Sequence, residues 1–228
     1  VIRLTERDSR LLRDLVLSHL LSRDQVIELG YFGSVTRANT RLRGLRKLKL
    51  VKALDTPFMG QALYAAVPGA AEVVGERLAS LAASRSGSPR FVRHALFATN
   101  IRIALLRKGA ASWRFEQQCR HSFRHGGREW QVRPDGLALA PTGPVAIEAD
   151  LGNVDPAKFR EKLRGYEALA LSGECGHAWG RDTFSLLVVT TSPARASRLA
   201  RLLPDPRGFS FACRPHDQLG VPLPGAWS

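Results

Sequence analysis

The stretch RPDGLALAPTGPVAIEAD, residues 133–150, decides how the second half of this chain is read. Two strand-like runs, 130–139 and 144–150, flank a Pro-Thr-Gly-Pro turn, and the first is interrupted by Pro134-Asp135-Gly136. Proline cannot donate to a strand ladder, so Asp135 is expected where backbone lies exposed at a sheet edge. Glu148 and Asp150 are two apart and should share one face, with Ile147 and Ala149 on the other. Three carboxylates converging across neighbouring strands repel one another unless a divalent cation neutralises them, and an all-oxygen set suits Mg²⁺ or Mn²⁺. Asp135, Glu148 and Asp150 are therefore the candidate metal ligands. A predicted helix from Pro156 to Leu171 carries Lys158, Lys162 and Tyr166 at i, i+4 and i+8, a face able to overhang the acids. A lysine there would polarise a scissile phosphate or its attacking water. The competing reading makes the same acids a structural salt-bridge cluster with Lys158 and Lys162.

Outward from this stretch, 92–106 reads as a helix, 113–117 as a strand and 119–128 as a polar, basic loop. Beyond it follow a buried strand at 184–190, a helix at 193–203 and a last strand at 209–213. The order αβββαβαβ makes a mixed central sheet flanked by helices. A Pro-rich tail, predicted to be extended, occupies 215–228 and includes Trp227.

The first half has a different pattern. Thr5 caps a helix with acids in its first turn (Glu6, Asp8) and a buried stripe at Leu11, Leu12, Leu15, Val16 and His19. Ser22 and Gln25 have capping-box spacing and open a short second helix that ends at Gly30. An aromatic from Tyr31-Phe32-Gly33 plugs the core, and Ser34 caps a third helix reaching about Leu48. On that helix Val35, Ala38, Leu42 and Leu45 fall on one side, and Thr36, Thr40, Arg43 and Lys47 on the other. Seven cations and no acid lie between Arg37 and Lys52. Two short apolar runs, 50–54 and 62–67, flank a Pro/Gly turn and read as a hairpin. Three helices then a hairpin is the winged helix-turn-helix order, with the third helix docking in the major groove. Thr36, Arg37, Thr40, Arg41, Arg43, Arg46, Lys47 and Lys52 are the candidate DNA contacts, suited to phosphates, guanine and the thymine methyl. The bland alternative is a winged helix that binds protein only.

The composition agrees with such a partner. The 228 residues carry 34 Lys+Arg against 20 Asp+Glu, a net charge of +14. That excess points to a polyanion. It is evenly divided: residues 1–90 hold 15 basic and 8 acidic side chains, and residues 91–228 hold 19 and 12. No apolar run approaches the roughly 18 residues of a membrane span. The opening residues lack a signal peptide's apolar region, and Val at position 1 suggests a trimmed upstream segment. Three scattered cysteines, Cys119, Cys175 and Cys213, favour a reducing, cytoplasmic setting over a disulfide framework. Cys119-x-His121-x-x-x-His125 lacks the paired spacing of a structural zinc site, and its arginines suggest a phosphate-touching loop instead. No phosphate-binding glycine loop or nucleophile elbow occurs. The predicted domains are a winged helix at 1–83, a linker at 84–90, an α/β domain at 91–214 and the tail at 215–228.

Pro134-Asp135 followed by Glu148-x-Asp150, in an αβββαβ order, resembles the PD-(D/E)XK nuclease superfamily and its restriction-endonuclease-like core. More of the chain is similar to the replication-relaxation family of plasmids and mobile elements. The matching segments in the first half are Leu4-Thr5-x-Arg7-Asp8 with Leu11-Leu12, Arg41-Leu42-x-x-Leu45 and His94-x-Leu96-x-x-x-Asn100. Those in the second half are Trp113-x-x-Glu116, Arg133-Pro134-Asp135-Gly136, Glu148-Ala149-Asp150 with Gly152, Lys162-Leu163-x-x-Tyr166 and Leu187-Val188-Val189-Thr190. The resemblance implies an α+β two-domain, DNA-binding accessory of replication or mobilisation, acting on double-stranded DNA near a relaxase or replication initiator, with a homodimer compatible. It places Asp135 and Glu148 on the superfamily's metal-binding acids. The lysine expected two residues after the glutamate is Asp150 here, so Lys162 is the candidate replacement and Glu116 a further acid. Metal-dependent cleavage, a nuclease-derived domain that binds without cutting, a transcription regulator and a relaxase-recruiting scaffold all remain open on this reading.

Overall fold

The computed structural model describes residues 3–56, 59–75 and 88–225. Two compact units emerge, Val1–Ile103 with Pro224–Ser228, and Ala104–Leu223.

In the first unit, α1 (Glu6–Ser18) starts on Thr5. The Thr5 hydroxyl accepts from the Asp8 N–H at 3.3 Å and the Asp8 carboxylate accepts from the Thr5 N–H at 2.7 Å, a reciprocal cap. Leu11, Leu12, Leu15 and Val16 are fully buried, each contributing about 2 kcal/mol of apolar burial. β1 (Leu21–Ser22) leads into α2 (Arg23–Glu28), where Ser22 and Gln25 cap each other at 3.1 Å in both directions. Phe32 is the buried aromatic plug, and α3 (Val35–Lys47) begins on Ser34. β2 (Val51–Leu54) and β3 (Leu63–Ala66) pair antiparallel, and β3 lies between β1 and β2 in a three-stranded sheet. α4 (Pro68–Val74) ends at Gly75, whose φ of +66° suits a helix stop without a side chain. The rest of the segment to 83 that the sequence assigns to the first domain lies outside the described residues.

The linker predicted at 84–90 also lies mostly outside them, but Pro89 and Arg90 already open α5 (Pro89–Arg107). This helix was expected to start the second domain. Instead Val92, Ala95 and Leu96 pack with Leu20, Met59 and Leu63 of the first unit. Gln25 reinforces the attachment, its amide donating to Leu96 O at 2.8 Å and Asn100 Oδ1 at 2.6 Å. The division between units falls inside α5, after Ile103. Periodicity revealed the helix's apolar face but not which apolar surface would cover it.

The second unit continues with β4 (Ser112–Phe115) and a single-turn α6 (Glu116–Cys119). A hairpin follows, β5 (His121–His125) and β6 (Arg128–Val132), and then β7 (Gly136–Ala140) and β8 (Gly143–Asp150). After α7 (Pro156–Ser172) and α8 (Cys175–Trp179) come β9 (Ser185–Thr190), α9 (Pro193–Ala200) and β10 (Ser210–Pro215). Five strands form one mixed sheet in the order β10-β9-β8-β7-β4. The pairs β4–β7 and β7–β8 are antiparallel, and β8–β9 and β9–β10 are parallel. Phe159, Leu163, Tyr166 and Leu169 of α7 belong to the core with Ala146, Leu186 and Val188 of the sheet.

Four expectations need correction. Residues 130–139 are not one interrupted strand: β6 pairs only with β5, β7 joins the main sheet, and Pro134 separates them. Asp135 is not at an edge, because its N–H donates to Ile147 O at 2.8 Å and the adjoining β7 runs between β4 and β8. The basic loop at 119–128 contains a helical turn and a strand, closed by Gly126-Gly127 at φ of +58° and +76°, the backbone a two-residue hairpin turn requires. The tail is not simply extended: His216–Leu219 is a 3₁₀ turn and Val221 is buried. Trp227 lies outside the described residues.

Gly136 fixes how closely β4 and β7 approach beside Asp135. A Cβ there would sit 1.9 Å from the Trp113 ring. Gly136→Ala is therefore expected to cost about 1–3 kcal/mol by overpacking, read as a lower denaturant midpoint. A midpoint within error of the parent would mean the indole swings aside freely.

Candidate functional site

The side chains singled out from the sequence fall into two groups, one in each unit. On α3, Ala38, Leu42 and Leu45 are buried, while Thr36, Arg37, Thr40, Arg43, Arg46 and Lys47 are exposed, as is Lys52 on β2. None of Arg37, Arg43, Arg46, Lys47 or Lys52 has an acidic partner among the described residues. Their charge is open to an external polyanion. Two residues depart from expectation. Val35 is 45% exposed rather than packed. Arg41 is turned inward, donating from Nε to Asp8 Oδ1 at 2.7 Å, pairing again through its terminal nitrogen, and reaching Arg3 O at 2.8 Å. Burial alone would raise the Asp8 carboxyl, but the bonds from Arg41 and Thr5 hold it below its usual range. Arg41 therefore anchors α3 to α1.

In the second unit, β8 and α7 bring Glu148, Lys162 and Tyr166 together. Lys162 Nζ pairs with Glu148 Oε2, and the Tyr166 hydroxyl donates to Glu148 Oε1. Asp135 approaches across the β7–β8 register, its Oδ2 accepting from the Ala149 N–H at 2.7 Å. The Glu148 carboxyl is pushed up to about 7 because burial disfavours its charge and Asp135 adds repulsion, against the pull of Lys162 and Tyr166. Burial would lower Lys162, yet the negative charge of Glu148 and Asp135 raises it, so it stays an ammonium. Burial, with Glu148 beside it, raises Tyr166 well above the phenolic range and keeps its proton.

The three-acid metal set does not assemble. Asp150, buried, is gripped by Arg195 of α9 at 2.8 and 3.1 Å and by the Thr190 hydroxyl at 2.8 Å on the neighbouring strand. Sharing a sheet face sent both acids to the helix side, but Glu148 meets α7 and Asp150 meets α9. Among the described residues no three His, Cys, Asp or Glu side chains gather to hold a metal ion. Of the remaining pair, Glu148 has both oxygens engaged by Lys162 and Tyr166 and Asp135 Oδ2 accepts from the Ala149 N–H, so a hard cation taking these two carboxylates would have to displace such bonds. Glu116 lies at the start of α6, paired with Arg133, and Lys158 is exposed and outside the cluster. The Cys/His group does not form a zinc site either: Cys119 is buried with its thiol directed at Phe115 O, and His121 pairs with Glu174 at 3.3 Å. Arg195 went unnoticed in the sequence. Its local signal is the cap of α9, where the Ser192 hydroxyl accepts from the Arg195 N–H and sets the arginine in the helix's first turn.

Glu148 makes this unit's stability pH-dependent. Its folded value lies above the ordinary 4.5, so the folded state holds an extra proton between about pH 4.5 and 7, and stability falls as pH rises through that window. Glu148→Gln is expected to flatten the slope in denaturation midpoints measured from pH 4.5 to 7.5. An unchanged slope would place the titrating group elsewhere.

The two units define a mixed α+β chain with a five-stranded mixed sheet, and no helix among the described residues is long and apolar enough to cross a membrane. A family model described as replication-relaxation matches residues 12–182. That span is three quarters of the chain, which therefore belongs to the replication-relaxation family. The family suggests a role in replication or mobilisation of plasmids or other mobile elements. No curated protein matches the chain. Among solved structures, protein VC1899 from Vibrio cholerae is similar at 12% identity and a TM-score of 0.34, over 96% of this chain and 55% of that one. The chain thus spans little more than half of that protein's length.

Proposed function

We propose that the chain is a DNA-binding accessory protein of plasmid or mobile-element replication or mobilisation. Its first unit serves as a winged helix-turn-helix and its second as a PD-(D/E)XK nuclease-like domain. The observation that carries the reading is the outward face of α3, where hydroxyls and cations without acidic partners among the described residues stand opposite the buried Ala38, Leu42 and Leu45. The order of three helices and the β2–β3 hairpin supports a winged helix, with Lys52 on the wing. A relaxase or replication initiator is the protein partner this role calls for, and a homodimer would suit a two-fold DNA site. A cytoplasmic setting follows from the DNA partner. Binding to a duplex is expected to weaken steeply between about 50 and 200 mM salt, because each neutralised phosphate releases counterions. Anisotropy titrations across that range test it, and a flat response removes the DNA reading.

In the second unit, the internal closure of the acids favours binding without cutting. Glu148 is already paired with Lys162 and hydrogen-bonded by Tyr166, and Asp150 is paired with Arg195. A transcription regulator or recruiting scaffold would need no more. A cleaving reading draws on the nearness of Asp135, Glu148 and Lys162, the acids holding Mg²⁺ or Mn²⁺ and Lys162 meeting the scissile phosphate. The bound cation would supply Lewis acidity. Nicking of supercoiled plasmid with either metal, lost in Asp135→Ala and Glu148→Ala, would establish cleavage. No nicking in either metal, with no metal bound by calorimetry, leaves the non-cutting reading.

A further inference from the structure

The charge on α3 is divided along its length. Val35, Thr36, Asn39 and Thr40 make its first half largely neutral, whereas Arg43, Arg46 and Lys47 crowd its second half and Lys49 and Lys52 follow. Arg37 is the exception. At 3.6 residues per turn it lies about 160° around the helix from Val35, while Asn39 lies only about 40° from it. Val35, 45% exposed, therefore shares one flank with the half-buried Asn39, with Thr36 about 100° and Thr40 about 140° further round, and it belongs to no core cluster of the described residues. A uniform phosphate-binding face has no use for this arrangement, because phosphates are bound by cations and donors.

Base edges make use of it. In the major groove an A·T pair presents the thymine methyl, an apolar knob absent from G·C, together with the adenine N6 and N7 pair that an asparagine amide matches in two bonds. We infer that the first half of α3 reads A·T base pairs: Val35, with the methyls of Thr36 and Thr40, packs on thymine methyls, and Asn39 brackets an adenine. Arg43, Arg46, Lys47 and Lys52 bind the flanking phosphates and set the register. The inference rests on the DNA-binding reading and names the class of site that reading leaves open.

The test uses the full chain. Duplexes enriched from a random pool should carry A·T pairs at fixed positions of the bound segment. Replacing the contacted thymine by uracil, which lacks only the methyl, should weaken binding about four-fold, the worth of one buried methyl. Val35→Ala should shrink the uracil penalty at the thymine that Val35 covers and leave it unchanged at thymines covered by Thr36 and Thr40. Asn39→Ala should lose about ten-fold in discrimination against G·C at its position. Both variants should keep the parent's salt slope, because no phosphate contact is removed. Enriched sites with G·C at those positions, or a uracil penalty unchanged in Val35→Ala, would overturn the inference and leave DNA binding standing. Absence of salt-dependent duplex binding by the parent chain would overturn both.

Discussion

Arg195→Ala is expected to destabilise the second unit by about 3–5 kcal/mol, the cost of stranding a buried carboxylate without its partner. Asp150 is 2% exposed and receives both guanidinium bonds, at 2.8 and 3.1 Å, on the same face as Thr190. The same arginine donates to Val154 O at 3.0 Å, so it also pins the segment leading into α7. Loss of the guanidinium removes three bonds and leaves one hydroxyl to hold the charge. The double variant Asp150→Ala/Arg195→Ala should recover part of the loss, since neither charge then remains buried alone. Chemical denaturation followed by far-UV circular dichroism reads both changes. A loss under about 1 kcal/mol, or a double variant no better than the single, would mean that the pair is solvated and Asp150 is free to do something else.

The second large effect concerns α3. Arg37→Ala/Arg43→Ala/Lys47→Ala is expected to weaken duplex binding on the order of a hundred-fold at moderate salt, and to make the slope of log K against log salt shallower by about three. Its denaturation midpoint should hardly move, because all three side chains are exposed and without acidic partners among the described residues. Arg41→Ala offers the contrast: it deprives the fully buried Asp8 of its cation and should lower stability first. A triple variant that binds as tightly and with the same slope as the parent would move the DNA surface off this helix.

What the sequence disclosed and what it withheld separate along chemical range. The caps at Thr5, Ser22 and Ser34 were readable because a hydroxyl and the N–H three residues on are bound to meet wherever a helix begins. The buried and exposed sides of α3 followed from a 3.6-residue period, apart from Val35 at its open first turn. Lys162 and Tyr166 were legible as one helical face, and they do converge on Glu148. The partners of Asp8 and Asp150 were not, since Arg41 and Arg195 are 33 and 45 residues away and only the packed fold selects them. The same limit hides where the first part of α5 packs: its apolar stripe has no address until Leu20 and Leu63 are in place.

The three free thiols, Cys119, Cys175 and Cys213, are all buried and all lie within residues 104–223. Burial pushes them up to about 12, 11 and 12, so none offers a thiolate to an alkylating reagent while the fold is closed. They form a ready-made clock. Iodoacetamide added to the native chain would be consumed only as fast as this half breathes open, and the mass added over time would time that opening without any engineered probe.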